Sequence, residues 1–316
     1  LNRLVHALGT LAALLTTEFA LVAMAVLDQG VQGARGEGQP APVLPGELVQ
    51  EVVEERRDVF PAFAQAGHSH GEGVQTANGD FLNAKEGKFM AAKKALIVGA
   101  SRGLGLGLVT ALSHDGWQVT ATVRDPQRAE ALKKLDNVQV EQLDIDNLQA
   151  INALHQRLNA DVFDLVFINA GIKGPDDQTS GAASLTDIGQ LFLTNSVAPV
   201  NVAQAFVGSI TKDNGVLAFM SSRLGSITNP NAPYLALYKA SKAALNSLTN
   251  TFVTQLPEPR PTVLSIHPGV VKTDLTGGTG DIDVDTSIRG IVEQLYAYAG
   301  KGGHHYIDYK GQTIPW

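Results

Sequence analysis

The sequence predicts an α/β fold with a doubly wound parallel sheet in residues 90–316, and two observations support this prediction. Short apolar runs alternate with segments of helical length, which is the pattern of strands buried on both faces of a parallel sheet. Glycines and polar residues follow directly after most of these runs. Loops that follow parallel strands meet at one edge of the sheet, where such folds bind ligands. We therefore expect a single Rossmann-type domain that contains the whole functional site.

The composition excludes several classes of function. The chain has 316 residues, 44% of them hydrophobic and 17% charged, which is enough to bury the core of a large soluble domain. A net charge of -7 provides no basic surface for nucleic acid, and no apolar run is long enough to suggest a membrane span. The absence of cysteine excludes disulfides and zinc-thiolate sites and is compatible with a reducing cytoplasm. We expect a cytoplasmic location and no metal centre.

Residues 1–89 differ in character from the rest of the chain. They contain an apolar stretch at 4–27, a Gly- and Pro-rich patch and an acidic stretch, whereas Met90 is followed closely by an apolar strand. We interpret residues 1–89 as an N-terminal extension outside the functional fold. The alternatives are a targeting segment and a small accessory domain. A targeting segment is considered because Arg3 precedes an apolar core, as in a signal sequence.

The predicted strands of residues 90–316 are short and apolar, and helix-length segments separate them. They are residues 95–98, 119–123, 138–143, 163–168, 216–220 and 263–267. A last strand is expected around His304 and His305. The order of strand and helix implies right-handed crossovers, which place every loop that follows a strand on the same side of the sheet.

The first strand ends in a glycine-rich loop from Gly99 to Gly105, with the sequence GASRGLG, which opens an apolar-periodic helix. Glycines let the backbone turn tightly and approach a pyrophosphate, whose charge the amides and dipole of the helix N-terminus stabilise. Because a strand precedes the loop and a helix follows it, the loop predicts a dinucleotide site and not merely a turn.

Further motifs follow the later strands in order. An Asn169-Ala-Gly171 motif ends the fourth strand, a serine pair containing Ser222 ends the fifth, and a His-Pro-Gly motif ends the sixth. Tyr238 and Lys242 are four residues apart, so a helix places them one turn apart on the same face.

These motifs, together with the Gly-x-x-x-Gly-x-Gly spacing of the first loop, resemble the short-chain dehydrogenases/reductases over residues 94–316. The long loop after Ser222 and the ending of the chain resemble the C-factor and Sniffer-like carbonyl reductases within that family. The resemblance implies that one domain contains both the cofactor site and the substrate site. It also implies a mobile lid at 274–283 and a homodimer or homotetramer.

The resemblance assigns catalytic roles to Asn195, Ser222, Tyr238 and Lys242. Tyr238 would be the general acid/base, and Lys242 would hold the nicotinamide ribose. A phenol with a pKa of about 10 is a poor base, so a nearby cation is needed to favour the phenolate. Ser222 would hydrogen-bond the substrate oxygen, and Asn195 would hold a water that relays protons.

The choice among nearby serines depends on spacing. Ser221, Ser222 and Ser226 are all candidates, but the serine of the family is usually followed by two residues and then a glycine. Ser222 fits that pattern best because Gly225 stands three residues after it.

Cofactor choice depends on the end of the second strand, where an acidic side chain would bind the ribose of NAD. This chain has Val123 and Arg124 there, and Arg102 in the glycine loop adds a second guanidinium, so NADP(H) is expected over NAD(H). Asp144 is either an adenine contact or a helix cap. The predicted cofactor-binding residues are Gly99, Ser101, Arg102, Gly103, Leu104, Gly105, Arg124, Asp144, Ile145, Asn169, Ala170, Gly171, Tyr238, Lys242, Pro268, Gly269, Val271 and Thr273.

The sequence therefore predicts an NADP(H)-dependent oxidoreductase of the carbonyl reductase type, which moves hydride between nicotinamide and a small carbonyl or alcohol substrate. The alternative is an NADP(H)-binding sensor or signalling protein with the same fold and little turnover. The presence of all four catalytic residue types favours the enzyme.

Overall fold

The computed structural model describes residues 73–75, 81–83, 88–90, 92–179, 181–229 and 234–316. The chain divides into two compact units, Leu1–Met90 and Ala91–Trp316. In the first unit, β1 (Gly73–Gln75), β2 (Phe81–Asn83) and β3 (Lys88–Met90) form an antiparallel sheet with β2 in the centre. The alternatives for residues 1–89 otherwise concern residues outside the described ranges, and the interpretation of this segment as an extension stays a prediction.

The second unit contains a seven-stranded sheet in which every pairing is parallel. Its order is β6-β5-β4-β7-β8-β9-β10, which confirms the predicted doubly wound fold. The strands are β4 (Lys94–Val98), β5 (Gln118–Val123), β6 (Val138–Gln142), β7 (Leu165–Ile168), β8 (Val216–Met220), β9 (Thr262–His267) and β10 (His304–Asp308).

The observed strands differ from the expected ones mainly at their ends. β7 begins at Leu165, two residues later than predicted, because Phe163 pairs instead with Ile210 in an isolated parallel bridge. β6 ends at Gln142, one residue before the predicted end, although the next backbone N–H still donates to Val123. These shifts leave the loops that follow the strands at the expected edge of the sheet.

Helices cover both faces of this sheet in two layers. One layer packs α1 (Gly103–His114) and α7 (Val284–Tyr298) against the sheet, and the other packs α3 (Leu148–Arg157), α5 (Ala198–Phe206) and α6 (Ala236–Gln255). The short helices α2 (Glu130–Lys133) and α4 (Leu185–Phe192) complete the set. Within the described ranges, none of the helices is both apolar enough and long enough to cross a membrane.

Strand β4 explains why the apolar runs predicted the fold. Ala95 and Ile97 belong to the core of the α1 and α7 layer, whereas Leu96 and Val98 belong to the core of the opposite layer. All four side chains are fully buried, as expected for a central parallel strand covered on both faces. β4 lies between β5 and β7, so the chain reverses its direction of progress through the sheet here, and a ligand crevice opens at that point.

Candidate active site

A cavity of about 970 Å³ lies at the carboxyl ends of the parallel strands. Loops that follow β4, β5, β6, β7, β8 and β9 all contribute to its wall. Every residue predicted for the cofactor or catalytic site lines this cavity except Gly105 and Asn195, which lie behind the wall. The topology therefore brings together motifs that are spread over most of the second unit.

The glycine loop forms the part of the wall that follows β4. Gly99 has a φ of +87°, a left-handed conformation that a side chain would strain, and its missing Cβ would lie 2.8 Å from Ala170. No side chain caps the N-terminus of α1, and no acidic residue lies in its first turn. The first amides of α1 and the positive end of its dipole are therefore available to an anionic group in the cavity.

Gly105 supports this loop from behind. A Cβ at Gly105 would lie 2.1 Å from the carbonyl oxygen of Gly99 and 2.7 Å from Nδ2 of Asn169. The same Nδ2 donates a 2.7 Å hydrogen bond to the Gly99 carbonyl oxygen. Asn169 thus ties the glycine loop to the end of β7, and only glycine at 105 leaves room for that bond.

Two arginines line the part of the cavity wall that is formed by the loops after β4 and β5. Arg124 follows the buried Val123 at the end of β5, and both residues line the cavity. Arg102 donates a 2.7 Å ion-pair hydrogen bond to Asp274, which lies in the loop after β9. Both partners of that pair are largely exposed, so the pair is weak and its guanidinium can also bind another anion.

The structure resolves the alternative readings of Asp144 in part. The helix that follows β6 is capped by Asn147, whose side chain accepts a 3.0 Å hydrogen bond from the N–H of Ala150. Asp144 lies before this cap and lines the cavity together with Ile145. Asp144 is therefore not the helix cap, while its contact with adenine stays a prediction.

Tyr238 and Lys242 lie on the first two turns of α6 and face the cavity. The ammonium of Lys242 is 5.9 Å from the centre of the Tyr238 ring and donates a 2.9 Å hydrogen bond to the carbonyl of Met220. The Ser222 side chain lines the same cavity and acts on the Tyr238 hydroxyl in the direction that lowers its pKa. Burial raises the pKa of Tyr238 to about 12, an effect that the neighbouring Ser222 side chain partly offsets, and burial lowers the pKa of Lys242 to about 8.

The three candidate serines have different surroundings. Ser221 donates a 2.7 Å hydrogen bond to Asn246, and Ser226 accepts one from the N–H of Asn229. Of the three, Ser222 both lines the cavity and acts on the Tyr238 hydroxyl, whose pKa its side chain lowers. This arrangement supports the choice of Ser222 that the spacing suggested.

Asn195 lies in a π-helical turn, Leu193–Val197, that continues α4. Its side-chain amide accepts from the N–H of Ile172 at 2.8 Å, donates to the Ile172 carbonyl at 2.8 Å and donates to Ser241 at 3.1 Å. Gly171 sits between this amide and Lys242, since a Cβ there would lie 3.3 Å from Asn195 and 3.5 Å from the Lys242 ammonium. The amide therefore fixes the loop after β7, and the predicted water relay stays a prediction.

Gln178, which the sequence did not single out, holds the helix that carries Tyr238 in place. Gln178 accepts a 2.9 Å hydrogen bond from the N–H of Tyr238, and its amide donates to the carbonyls of Lys173 and Pro175. Leu235, the N-cap of α6, provides no side-chain cap and has a φ of 60°. Gln178 therefore caps the helix that carries Tyr238, and no local sequence signal marks it.

Tyr306 performs a similar task from β10. Its buried hydroxyl donates a hydrogen bond to the carbonyl of Ser222, and its ring stacks on Trp316 at 5.0 Å. The Trp316 carbonyl in turn accepts a 2.6 Å hydrogen bond from Thr228, in the loop after Ser222. The end of the chain thus braces the loop that carries Ser222.

Comparisons with known proteins agree with this geometry. A family model described as short chain dehydrogenase matches residues 93–281. A crystal structure of a carbonyl reductase from Pseudomonas aeruginosa in complex with NADP is 35% identical, with a TM-score of 0.67 over 72% of this chain and 100% of that chain. The carbonyl reductase Sniffer of D. melanogaster is 28% identical, with a TM-score of 0.64 over 71% of this chain and 100% of that chain. C-signal from Myxococcus xanthus is 31% identical over 48% of this chain and 92% of its own length.

Proposed function

Because the chain belongs to the short-chain dehydrogenase family, we propose that it is an NADP(H)-dependent carbonyl reductase, which converts a small aldehyde or ketone to an alcohol. The motifs indicated a resemblance to C-factor and Sniffer-like carbonyl reductases, and the similarity to Sniffer and to C-signal agrees with it. We also propose that Ala91–Trp316 holds the complete cofactor and substrate site, because the whole cavity wall comes from that unit.

The residues present fit NADP(H). The uncapped N-terminus of α1 suits the pyrophosphate, and the glycine loop leaves space where side chains would intrude. Val123 replaces the acidic residue that would repel a 2′-phosphate, while Arg102 and Arg124 supply guanidinium groups that pair well with phosphate. The carbonyl reductase from Pseudomonas aeruginosa, in complex with NADP, supports the same choice.

The reduced nicotinamide, when bound, supplies the hydride that goes to the carbonyl carbon. Tyr238 gives its hydroxyl proton to the carbonyl oxygen as the C=O π bond opens, so the product is an alcohol and Tyr238 is left as a phenolate. Ser222 donates a hydrogen bond to the same oxygen and stabilises its developing negative charge. The ammonium of Lys242 favours the phenolate until solvent returns a proton to it.

One observation carries this proposal: Ser222, Tyr238 and Lys242 line the same cavity, and Lys242 lies one helical turn after Tyr238 on α6. The test is NADPH oxidation by the full chain with a panel of aldehydes, ketones and quinones, followed by the loss of nicotinamide absorbance. We expect turnover that falls by at least about a hundredfold in Tyr238→Phe. Tyr298→Phe, at a tyrosine outside the cavity wall, is the matched control and should keep its activity.

Because the chain is similar to C-signal, the second candidate function is an NADP(H)-binding sensor with little turnover. The complete set of Asn195, Ser222, Tyr238 and Lys242 favours turnover over sensing alone. Tight NADPH binding without oxidation by any carbonyl of the panel would instead favour the sensor. The homodimer or homotetramer and the cytoplasmic location stay predictions.

A further inference from the structure

The charged residues of the cavity wall are not spread evenly. Two acidic wall residues, Asp144 and Asp146, follow β6 at the far edge of the sheet, and the third, Asp274, pairs with Arg102. The wall formed by the loops after β7 and β8 has no acidic residue among those described, but it contains Lys173 and Arg223. This part of the wall, which includes Ser222, therefore carries positive charge and no negative charge among the described residues.

Arg223 stands directly after Ser222, is exposed and lines the cavity, and no ion pair or hydrogen bond joins its side chain to another described residue. Burial and, to a smaller extent, the positive charge of Arg223 lower the pKa of His267 to about 3. His267 is only 7% exposed and lines the same cavity, and its Nδ1 has no hydrogen-bond partner among the described residues. The exposed Arg223, which directly follows Ser222, and the buried His267 thus line the same cavity.

Lys173 adds a second positive charge from the loop after β7. Its nearest acidic partner is Asp176, at 3.7 Å, and that carboxylate is fully exposed. Such a surface pair contributes little, and the Lys173 side chain is itself 44% exposed, so it adds a positive charge to the cavity wall that solvent partly screens. Leu224, Tyr234 and Leu275 provide apolar surface in the same wall.

We propose that the substrate is an oxo acid, a carbonyl compound that carries a carboxylate on a small apolar body. Its carbonyl oxygen binds Ser222 and Tyr238, while its carboxylate binds the guanidinium of Arg223 in a bidentate pair. Lys173 adds to the positive potential of the cavity wall and need not contact the substrate. This inference rests on the proposed reductase function and names its substrate class.

The net charge of the chain makes the inference testable. With a formal charge of -7, the protein as a whole repels anions, so a preference for an anionic substrate must come from the local wall. The probes are aromatic and aliphatic aldehydes, each used as the carboxylate and as its neutral methyl ester, for example 4-carboxybenzaldehyde and methyl 4-formylbenzoate. The measurement is kcat/KM for each pair with the full chain and saturating NADPH.

We expect the acid to exceed its ester by about tenfold or more in the wild type, and this ratio to fall to about one in Arg223→Met. Arg223→Lys keeps the charge but loses the bidentate geometry, so its ratio should lie between the two. Arg289→Met removes the same charge from an exposed site on α7 outside the cavity wall, and it should keep the wild-type ratio.

Esters reduced as well as the acids by the wild type would overturn the inference and leave the reductase intact. An Arg223→Met variant that keeps the preference for acids would overturn it as well. If NADPH reduces neither member of any pair, nor any other carbonyl, the proposed function fails and the inference fails with it.

Discussion

Tyr238 and Lys242 both sit in surroundings that disfavour their charged forms. Burial raises the pKa of Tyr238 to about 12 and lowers the pKa of Lys242 to about 8. At neutral pH, Tyr238 therefore holds its proton and Lys242 holds its charge. This state is ready to donate a proton to a carbonyl oxygen, whereas alcohol oxidation would need the phenolate first.

We expect carbonyl reduction to depend on pH through Lys242. The ammonium is intact below its lowered pKa of about 8 and is lost as the pH rises through that value, while Tyr238 stays protonated throughout. The value of kcat/KM with saturating NADPH should be level at neutral pH and fall above about pH 8. A profile that stays level to about pH 10 would contradict this assignment.

The glycine loop and α1 act as one element with β7, because Asn169 bonds the Gly99 carbonyl in the space that Gly105 leaves. Gly105→Ala places a Cβ 2.1 Å from that carbonyl oxygen, so the loop must move. We expect weaker NADPH binding, by about tenfold or more, and a loss of stability of about 1–3 kcal/mol.

Titration of NADPH by fluorescence and thermal unfolding measure the two effects of Gly105→Ala. Gly208→Ala is the matched control, since a Cβ at that position meets no atom within 4 Å. Equal NADPH affinity in the two variants would show that the loop does not need the packing described for Gly105.

Helix α6 receives its N-terminal cap from Gln178, sixty positions earlier in the chain. Gln178→Leu leaves the N–H of Tyr238 without its acceptor and frees the loop that follows β7. We expect kcat to fall by about tenfold or more, because a small displacement of Tyr238 misaligns proton transfer, while NADPH affinity changes little. The exposed Gln204 provides the control variant, Gln204→Leu, which should behave as wild type.

The kinetic constants separate this role of Gln178 from a general loss of structure. An unchanged kcat in Gln178→Leu would contradict the positioning role. A fall in NADPH affinity as large as the fall in kcat would mean that the variant disturbs the whole site and not α6 alone.

Most of the second unit could be predicted from sequence because its central strands, such as β4, β7 and β8, are buried on both faces and therefore appear as continuous apolar runs. The positions of Gly99, Ser222 and Tyr238 followed from motifs at the strand ends. Gln178 and Tyr306 could not be predicted, because each contact joins segments that are 60 and 84 residues apart and neither has a local signature. The π-helical turn at Asn195 was missed as well, since its composition is that of ordinary helix.

The division of the chain also has a testable consequence. If Ala91–Trp316 contains the complete site, then the chain without residues 1–90 should fold and reduce carbonyls with a kcat/KM within about twofold of the full chain. Circular dichroism measures whether the truncated chain folds, and NADPH oxidation measures its kcat/KM. A truncated chain that folds but does not turn over would show that the first unit contributes to the site.

The most direct test of the reductase is the fate of the hydride. NADPH deuterated at C4 of the nicotinamide, on either face, is incubated with the full chain and a carbonyl substrate, and the alcohol is analysed by mass spectrometry. We predict deuterium on the carbinol carbon with one of the two labelled forms, and no labelled alcohol with Tyr238→Phe. NADPH that binds tightly but transfers no deuterium to any carbonyl would contradict the account and identify the protein as a binder of the cofactor.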